Sequence, residues 1–181
     1  MKAPSTNIHD TGRRISSEQV LAVVAELFER LAATASAGGA TVTVATAESC
    51  TGGMISTWLT SPPGSSRFFV GGVCAYSNAA KADLLGVDPA LITKHGAVSE
   101  DVVKAMARGA LERFKSTWAV GVSGVAGPDG GTSERPVGTV WCAVAHSSGV
   151  EARVLKLTGD RTAIREAAAL QTIGFLLEKL K

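Results

Sequence analysis

The stretch Thr41-Val-Thr-Val-Ala-Thr-Ala-Glu-Ser-Cys-Thr-Gly-Gly-Met54 limits the folds open to this chain more than any other. Residues 41 to 46 alternate as a buried strand does, Glu48 to Gly53 cannot continue that strand, and Met54 to Leu59 resumes an apolar pattern in helical register. The expected order is strand, turn, helix, with the helix over about Thr51 to Thr60. Ser49 falls at the junction, beside the unpaired amides of a helix N-terminus, whose partial positive charge favours a phosphate or a developing oxyanion. Gly52 and Gly53 let a ligand approach the backbone closely. The same residues also fit an ordinary N-cap followed by glycines that only allow tight packing.

Bulk properties narrow the choice. A length of 181 residues suits one well-buried domain, expected over 15–181 behind a loose tail at 1–14. With 45% hydrophobic and 19% charged residues the chain is not generally disordered, and no apolar run approaches the roughly 20 residues that span a bilayer. The polar N-terminus lacks a signal-like apolar segment, and Cys50, Cys74 and Cys142 are too scattered for a disulfide framework, so a cytoplasmic protein without membrane contact is expected. A net charge of +2 with dispersed basic residues argues against nucleic acid as a partner. His9, His95 and His146 share no ligand-like spacing, so neither a metal site nor a cofactor is expected.

Along the chain, Ser16 or Ser17 caps a helix whose stripe is Val20, Leu21, Val24, Leu27, Phe28 and Leu31, ending over Ser36 to Gly39. Phe68 to Tyr76 reads as a second strand, with Gly71-Gly72 marking a bulge or a close backbone approach. Asn78 can cap a short helix to Leu85, another begins at Pro89, and Ser99-Glu-Asp101 opens a strong one. Trp118 to Ser123 is a third strand, and Val137–His146 and Val150–Leu157 form a hairpin. The last helix is apolar on more than one side, so it is either deeply buried or partly covered by another subunit; a homodimer or higher homo-oligomer is expected. These elements predict an α/β fold, a three-layer α/β/α sandwich around a mixed, mostly parallel sheet. Ligands bind such sheets at the carboxyl ends of strands, where Ser49, Tyr76 to Lys81 and Ser123 to Gly131 all fall.

The chain has no GxSxG elbow, phosphate loop, GxGxxG fingerprint or SxxK motif, and a Ser-His-Asp triad is poorly supported. Lys81 is the leading base, since a buried lysine loses proton affinity and a neutral amine can take a serine proton. Its alternative is a surface lysine on a short helix. Tyr76, the single tyrosine, can relay or hold that proton, or simply pack. Gly124 to Pro136, with four glycines and two prolines, is either a mobile surface loop or a nest of amides around a phosphate. Arg161 either neutralises that phosphate or pairs with Asp160 or Glu166.

Six segments together resemble the successive signatures of the CinA C-terminal-domain family, the bacterial nicotinamide-nucleotide amidohydrolases: Ala47–Gly53, Tyr76–Lys81, His95–Glu100, Ser123–Gly131, Pro136–Val140 and Gly159–Arg161. The resemblance runs from about residue 17 to the end and implies a fold like the anticodon-binding domain. It implies hydrolysis of the carboxamide of nicotinamide mononucleotide to nicotinate mononucleotide and ammonia. Ser49 would be the nucleophile, Lys81 the base and Tyr76 an assisting group. Thr51, Gly52, Gly53, Asn78, Ser123, Gly124, Ala126, Gly127 and Arg161 are the expected substrate contacts. Many relatives also carry an N-terminal domain resembling molybdopterin-binding proteins, which these residues do not encode. The rival expectation is a non-catalytic nucleotide-binding sensor or accessory module.

Overall fold

Alternation of large and small side chains along the central strands sets the architecture. The computed structural model describes residues 14–38 and 41–180. Its elements are α1 (Ser17–Gly38), β1 (Val44–Glu48), α2 (Met54–Thr60), β2 (Phe69–Cys74), α3 (Asn78–Leu85), α4 (Pro89–His95), α5 (Glu100–Phe114), β3 (Trp118–Gly124), β4 (Thr139–His146), β5 (Gly149–Lys156) and α6 (Arg161–Lys179). The sheet order is β2-β1-β3-β4-β5. β1 is parallel to both β2 and β3, while β4 is antiparallel to β3 and β5. The sheet is therefore mixed, with β4 running against its four companions.

One face carries Val44, Val120, Val122, Val140, Cys142 and Val144, which pack with α1, α2 and α6. The other carries Ala45, Ala47, Ala119, Ala143 and Ala145, which pack beneath α3, α4 and α5. Period-two alternation sorts these sets to opposite sides, and the small set lets α5 lie close to the sheet. At Gly121 a Cβ would stand 2.8 Å from the Val103 carbonyl oxygen of α5. The three-layer α/β/α sandwich expected from the sequence is thus present.

Several local expectations shift. The first strand starts at Val44 and keeps Glu48, because both neighbouring strands still pair with it there. α2 begins at Met54 instead of Thr51, because the two glycines before it adopt positive φ. Ser77, not Asn78, caps α3, accepting the Ala80 amide at 3.0 Å. Leu21 is 49% exposed, and Val23 takes its place in the buried stripe of α1. The close approach foreseen in β2 is real: a Cβ on Gly72 would meet Thr46 Oγ1 at 1.9 Å.

The apolar sides of α6 are consumed within the chain, against α1 on one flank and the sheet on the other, which removes the ground on which an oligomer was expected. The tail expected over 1–14 lies outside the described residues except for Arg14. Its guanidinium is bidentate to Glu166 of α6, at 2.8 to 3.0 Å. Among the described residues no helix is long and apolar enough to cross a membrane.

Candidate active site

The carboxyl ends of β1, β2 and β3 open onto a cavity of about 280 Å³. β1 delivers Ser49 and Cys50 to it, the β2–α3 connection Tyr76, Asn78 and Lys81, the α4–α5 connection Ala97 and Val98, and the glycine-rich loop Ser123 to Gly127 with Asp129. Arg161, at the start of α6, closes the ring. The three segments singled out in the sequence therefore meet at one edge.

Ser49 is held by its backbone. Its amide donates to the Val122 carbonyl at 3.0 Å, extending the β1–β3 ladder by one residue, and its carbonyl accepts the Gly52 amide at 3.1 Å. The second bond closes a four-residue turn, completed by Gly52 at φ +63°. The N-cap of α2 is Gly53, which offers no side chain, so the N-cap alternative for Ser49 fails. The buried carboxylate of Glu48 supplies the missing acceptor. It takes the amides of Ile55 (3.0 Å) and Ser56 (2.8 Å) and the hydroxyls of Thr51 and Ser56 (both 2.7 Å). Four donors thus converge on one buried carboxylate at the start of α2.

Relieved of capping duty, the Ser49 hydroxyl faces Lys81, with Oγ and Nζ 3.0 Å apart. Ser49 is 8% exposed and Lys81 only 1%, so the surface-lysine alternative fails as well. Lys81 Nζ donates to the carbonyls of Ala75 at 3.1 Å and Tyr76 at 3.3 Å. Among the described residues no carboxylate lies within salt-bridge range of it. Burial pushes the amine below its ordinary value, against a smaller opposing effect of the thiols of Cys50 and Cys74. A neutral amine has two N–H groups for the two carbonyls and a lone pair left for the serine O–H. Burial also pushes the Cys50 thiol up to about 12, so the sulfur beside Ser49 stays protonated.

Tyr76 departs from its expected role. Its side chain is 59% exposed, and its hydroxyl accepts from Arg161 Nη2 at 2.9 Å. Among the described residues it bonds neither Ser49 nor Lys81; the carbonyl, not the phenol, touches the lysine. Arg161 Nη1 also donates to the Gly127 carbonyl at 2.6 Å, so the guanidinium ties the glycine-rich loop to Tyr76 across the cavity mouth. It pairs with neither Asp160, which caps α6 at Ala163, nor Glu166, which Arg14 holds.

The other expected contacts divide. Asn78, Ser123, Gly124, Ala126 and Gly127 border the cavity, whereas Thr51, Gly52 and Gly53 do not. The Gly52 amide is already spent on Ser49, which removes it as an oxyanion donor. The Ser123 hydroxyl donates to the Ala97 carbonyl at 2.7 Å, fastening the α4–α5 connection to β3 instead of meeting a ligand. At Gly124 a Cβ would stand 2.5 Å from Val140, so this glycine serves close packing. The amides of Ala126 and Gly127 have no acceptor among the described residues and remain available.

Two residues escaped the sequence reading. One is Glu48, legible only as a charged residue closing a buried strand. The other is Arg165, whose Nε donates to the Cys50 carbonyl at 3.1 Å and Nη2 to the Thr51 carbonyl at 2.7 Å. Its signal was the spacing of four from Arg161, which puts both arginines on one face of the helix.

Comparison with known proteins agrees with this architecture. Over 138 residues the chain is 52% identical to a CinA-like protein of Mycobacterium marinum, an alignment covering 76% of this chain and 32% of that protein. It is 51% identical over 138 residues to a CinA-like protein of Mycobacterium tuberculosis, with 76% and 32% covered. The chain thus spans about a third of the length of these relatives. Among solved structures, the competence/damage inducible protein CihA of Agrobacterium tumefaciens superposes with a TM-score of 0.83 at 34% identity, covering 92% of this chain and 98% of that one. A CinA superfamily protein of Escherichia coli gives 0.83 at 28% identity, covering 93% and 95%. Residues 16–180 match the family described as the CinA C-terminal domain, and with identities above half to its named relatives the chain belongs to that family.

Proposed function

We propose that the chain is an amidohydrolase that converts nicotinamide mononucleotide to nicotinate mononucleotide and ammonia through a Ser49 acyl-enzyme. The observation that carries this reading is the buried contact between Ser49 Oγ and Lys81 Nζ, with no carboxylate partner for the amine among the described residues. Neutral Lys81 takes the serine proton as Oγ attacks the carboxamide carbon, and the resulting ammonium gives a proton to the amide nitrogen, which departs as ammonia when the C–N bond breaks. Water then attacks the acyl carbon as Lys81 removes its proton, the bond from that carbon to Ser49 Oγ breaks, and the Lys81 ammonium returns the proton to Oγ as the acid departs. The carbonyls of Ala75 and Tyr76 orient the amine throughout. Oxyanion stabilisation is assigned to donors bordering the cavity, of which the Cys50 amide is next to the nucleophile. The amides of Ala126 and Gly127, with Arg161 beside them, form a phosphate seat in the same cavity.

Purified protein incubated with nicotinamide mononucleotide should release ammonia, and Ser49→Ala should release none while keeping much of its nucleotide binding. Thermal stabilisation by the nucleotide without turnover would defeat the proposal and favour a nucleotide-binding module. No metal is assigned a role, because among the described residues no group of three or more His, Cys, Asp or Glu is placed to hold one.

A further inference from the structure

We propose that Arg165 is a positioning residue for the Ser49 nucleophile, gripping the two peptide planes of the turn that follows it. The inference rests on the proposed role of Ser49. In the turn from Ser49 to Gly52, the two central carbonyls, those of Cys50 and Thr51, both accept from the one guanidinium. Peptide units are planar and trans, so fixing a carbonyl fixes the N–H on its opposite side. The Thr51 carbonyl belongs to the same plane as the Gly52 amide, which closes the turn onto the Ser49 carbonyl at 3.1 Å. Arg165 therefore holds the plane whose N–H fixes the backbone of Ser49.

Polarisation adds to the geometry, because a charged donor on a carbonyl makes the N–H of that peptide a stronger donor. On the other side, Glu48 holds the Thr51 hydroxyl and the first amides of α2. The turn is thus clamped between a carboxylate from the strand before it and a guanidinium from α6, 115 positions away from Cys50. Arginine presents a rigid planar fork that meets the two carbonyls with two separate nitrogens, whereas a lysine ammonium serves as a point donor. Space is matched to the fork, since a Cβ on Gly52 would lie 3.2 Å from Arg165 Nη2.

Two readouts test this. The first is independent of the natural substrate: the rate at which a fluorophosphonate probe labels Ser49, followed by intact-mass spectrometry with Ser49→Ala as the blank. Arg165→Met should label more slowly by roughly tenfold to a hundredfold, the loss expected from a displacement of about 1 Å at a reacting atom. Arg165→Lys should fall between that variant and wild type. The second is amide hydrolysis, where kcat should fall by a similar factor while KM for nicotinamide mononucleotide changes less than about threefold, because Thr51 and Gly52 of the turn do not border the cavity. Guanidinium ion at tens of millimolar should restore part of the labelling rate of Arg165→Ala and none of that of Lys81→Ala.

Labelling of folded Arg165→Met and Arg165→Lys at the wild-type rate overturns the inference. So does a rate loss that follows thermal stability alone and is not rescued by guanidinium, and so does a wild-type protein that the probe leaves unlabelled. Arginine-dependent labelling in a protein that hydrolyses no nicotinamide mononucleotide upholds the positioning role and rejects the proposed substrate.

Discussion

Replacing Lys81 with methionine separates the chemical from the structural consequences of a buried amine. In the wild type, Nζ sits in three contacts of 3.0, 3.1 and 3.3 Å at 1% exposure. General-base catalysis is worth about 10² to 10⁴ in rate, so Lys81→Met should lose at least that range in kcat/KM. Stability should respond in a different and pH-dependent way. The folded-state pKa lies below the ordinary 10.5, so between the two values the unfolded chain holds more protons than the folded one. Wild-type stability must then rise with pH through that window, and below it the full penalty of charging a buried amine applies. Each unit of depression corresponds to about 1.4 kcal/mol.

The variant has no such group and no such slope. Its absolute stability also reflects three lost hydrogen bonds, at about 0.5–1.5 kcal/mol each, so the slope and not the offset is diagnostic. Urea unfolding of both proteins at several pH values gives the difference directly. Wild-type minus variant stability should increase as pH rises toward 10.5, and the wild-type pH–rate profile should climb over the approach to the same folded-state pKa. A stability difference that stays constant with pH, together with a flat rate profile, would refute the assignment of Lys81 as a buried neutral base.

Arg161→Ala should reduce kcat/KM for nicotinamide mononucleotide by roughly tenfold to a hundredfold and leave nicotinamide riboside less affected, since only the mononucleotide offers a phosphate. Equal losses on both substrates would assign Arg161 to bracing the loop through Gly127 and Tyr76. Gly109→Ala should destabilise the fold, because its Cβ would stand 1.9 Å from the Leu85 carbonyl oxygen where α5 crosses α3. Overpacking of this kind costs about 1–3 kcal/mol, or roughly 2–12 °C in Tm by calorimetry, and an unchanged Tm would contradict that contact. Of the three cysteines, native protein at about pH 8 should expose only Cys74 to a disulfide reagent, because Cys50 and Cys142 are buried with thiols pushed up to about 12.

The edge at which the site forms was legible because it depends on local signals. Alternation stops at Glu48, glycines prevent the strand from continuing, and proline with glycine marks the loop after β3. Lys81 was legible for a related reason, since it follows a strand end by a few residues and lies among alanines. What escaped depends on contacts across long stretches of chain. Tyr76 turns outward because its hydroxyl meets Arg161, 85 positions later, and no pattern near Tyr76 announces that partner. The grip of Arg165 on the Cys50 and Thr51 carbonyls is a side-chain-to-backbone contact and leaves no complementary residue to find. The start of α2 was misplaced because its cap comes from the preceding strand, outside the usual capping positions.

The same alternation that builds the sheet also isolates the charges on which the proposed chemistry would depend. Glu48 lies on the face that carries Val44 and is consumed by the N-terminus of α2, whereas Lys81 arrives from α3 on the alanine-lined face. Had the register slipped by one residue, Glu48 would have turned toward the lysine, since every side chain of a slipped strand changes face. A carboxylate beside a buried amine favours the ammonium, which has no lone pair with which to take a serine proton. Arg165 directs Nε and Nη2 at the main-chain carbonyls of Cys50 and Thr51, beyond Ser49. Among the described residues Lys81 is thereby left with neutral hydrogen-bond partners alone, two carbonyls and a hydroxyl. Burial then lowers its proton affinity with no counter-ion among the described residues to restore it, so the neutral base of the proposed mechanism would be a consequence of strand register as much as of the lysine itself.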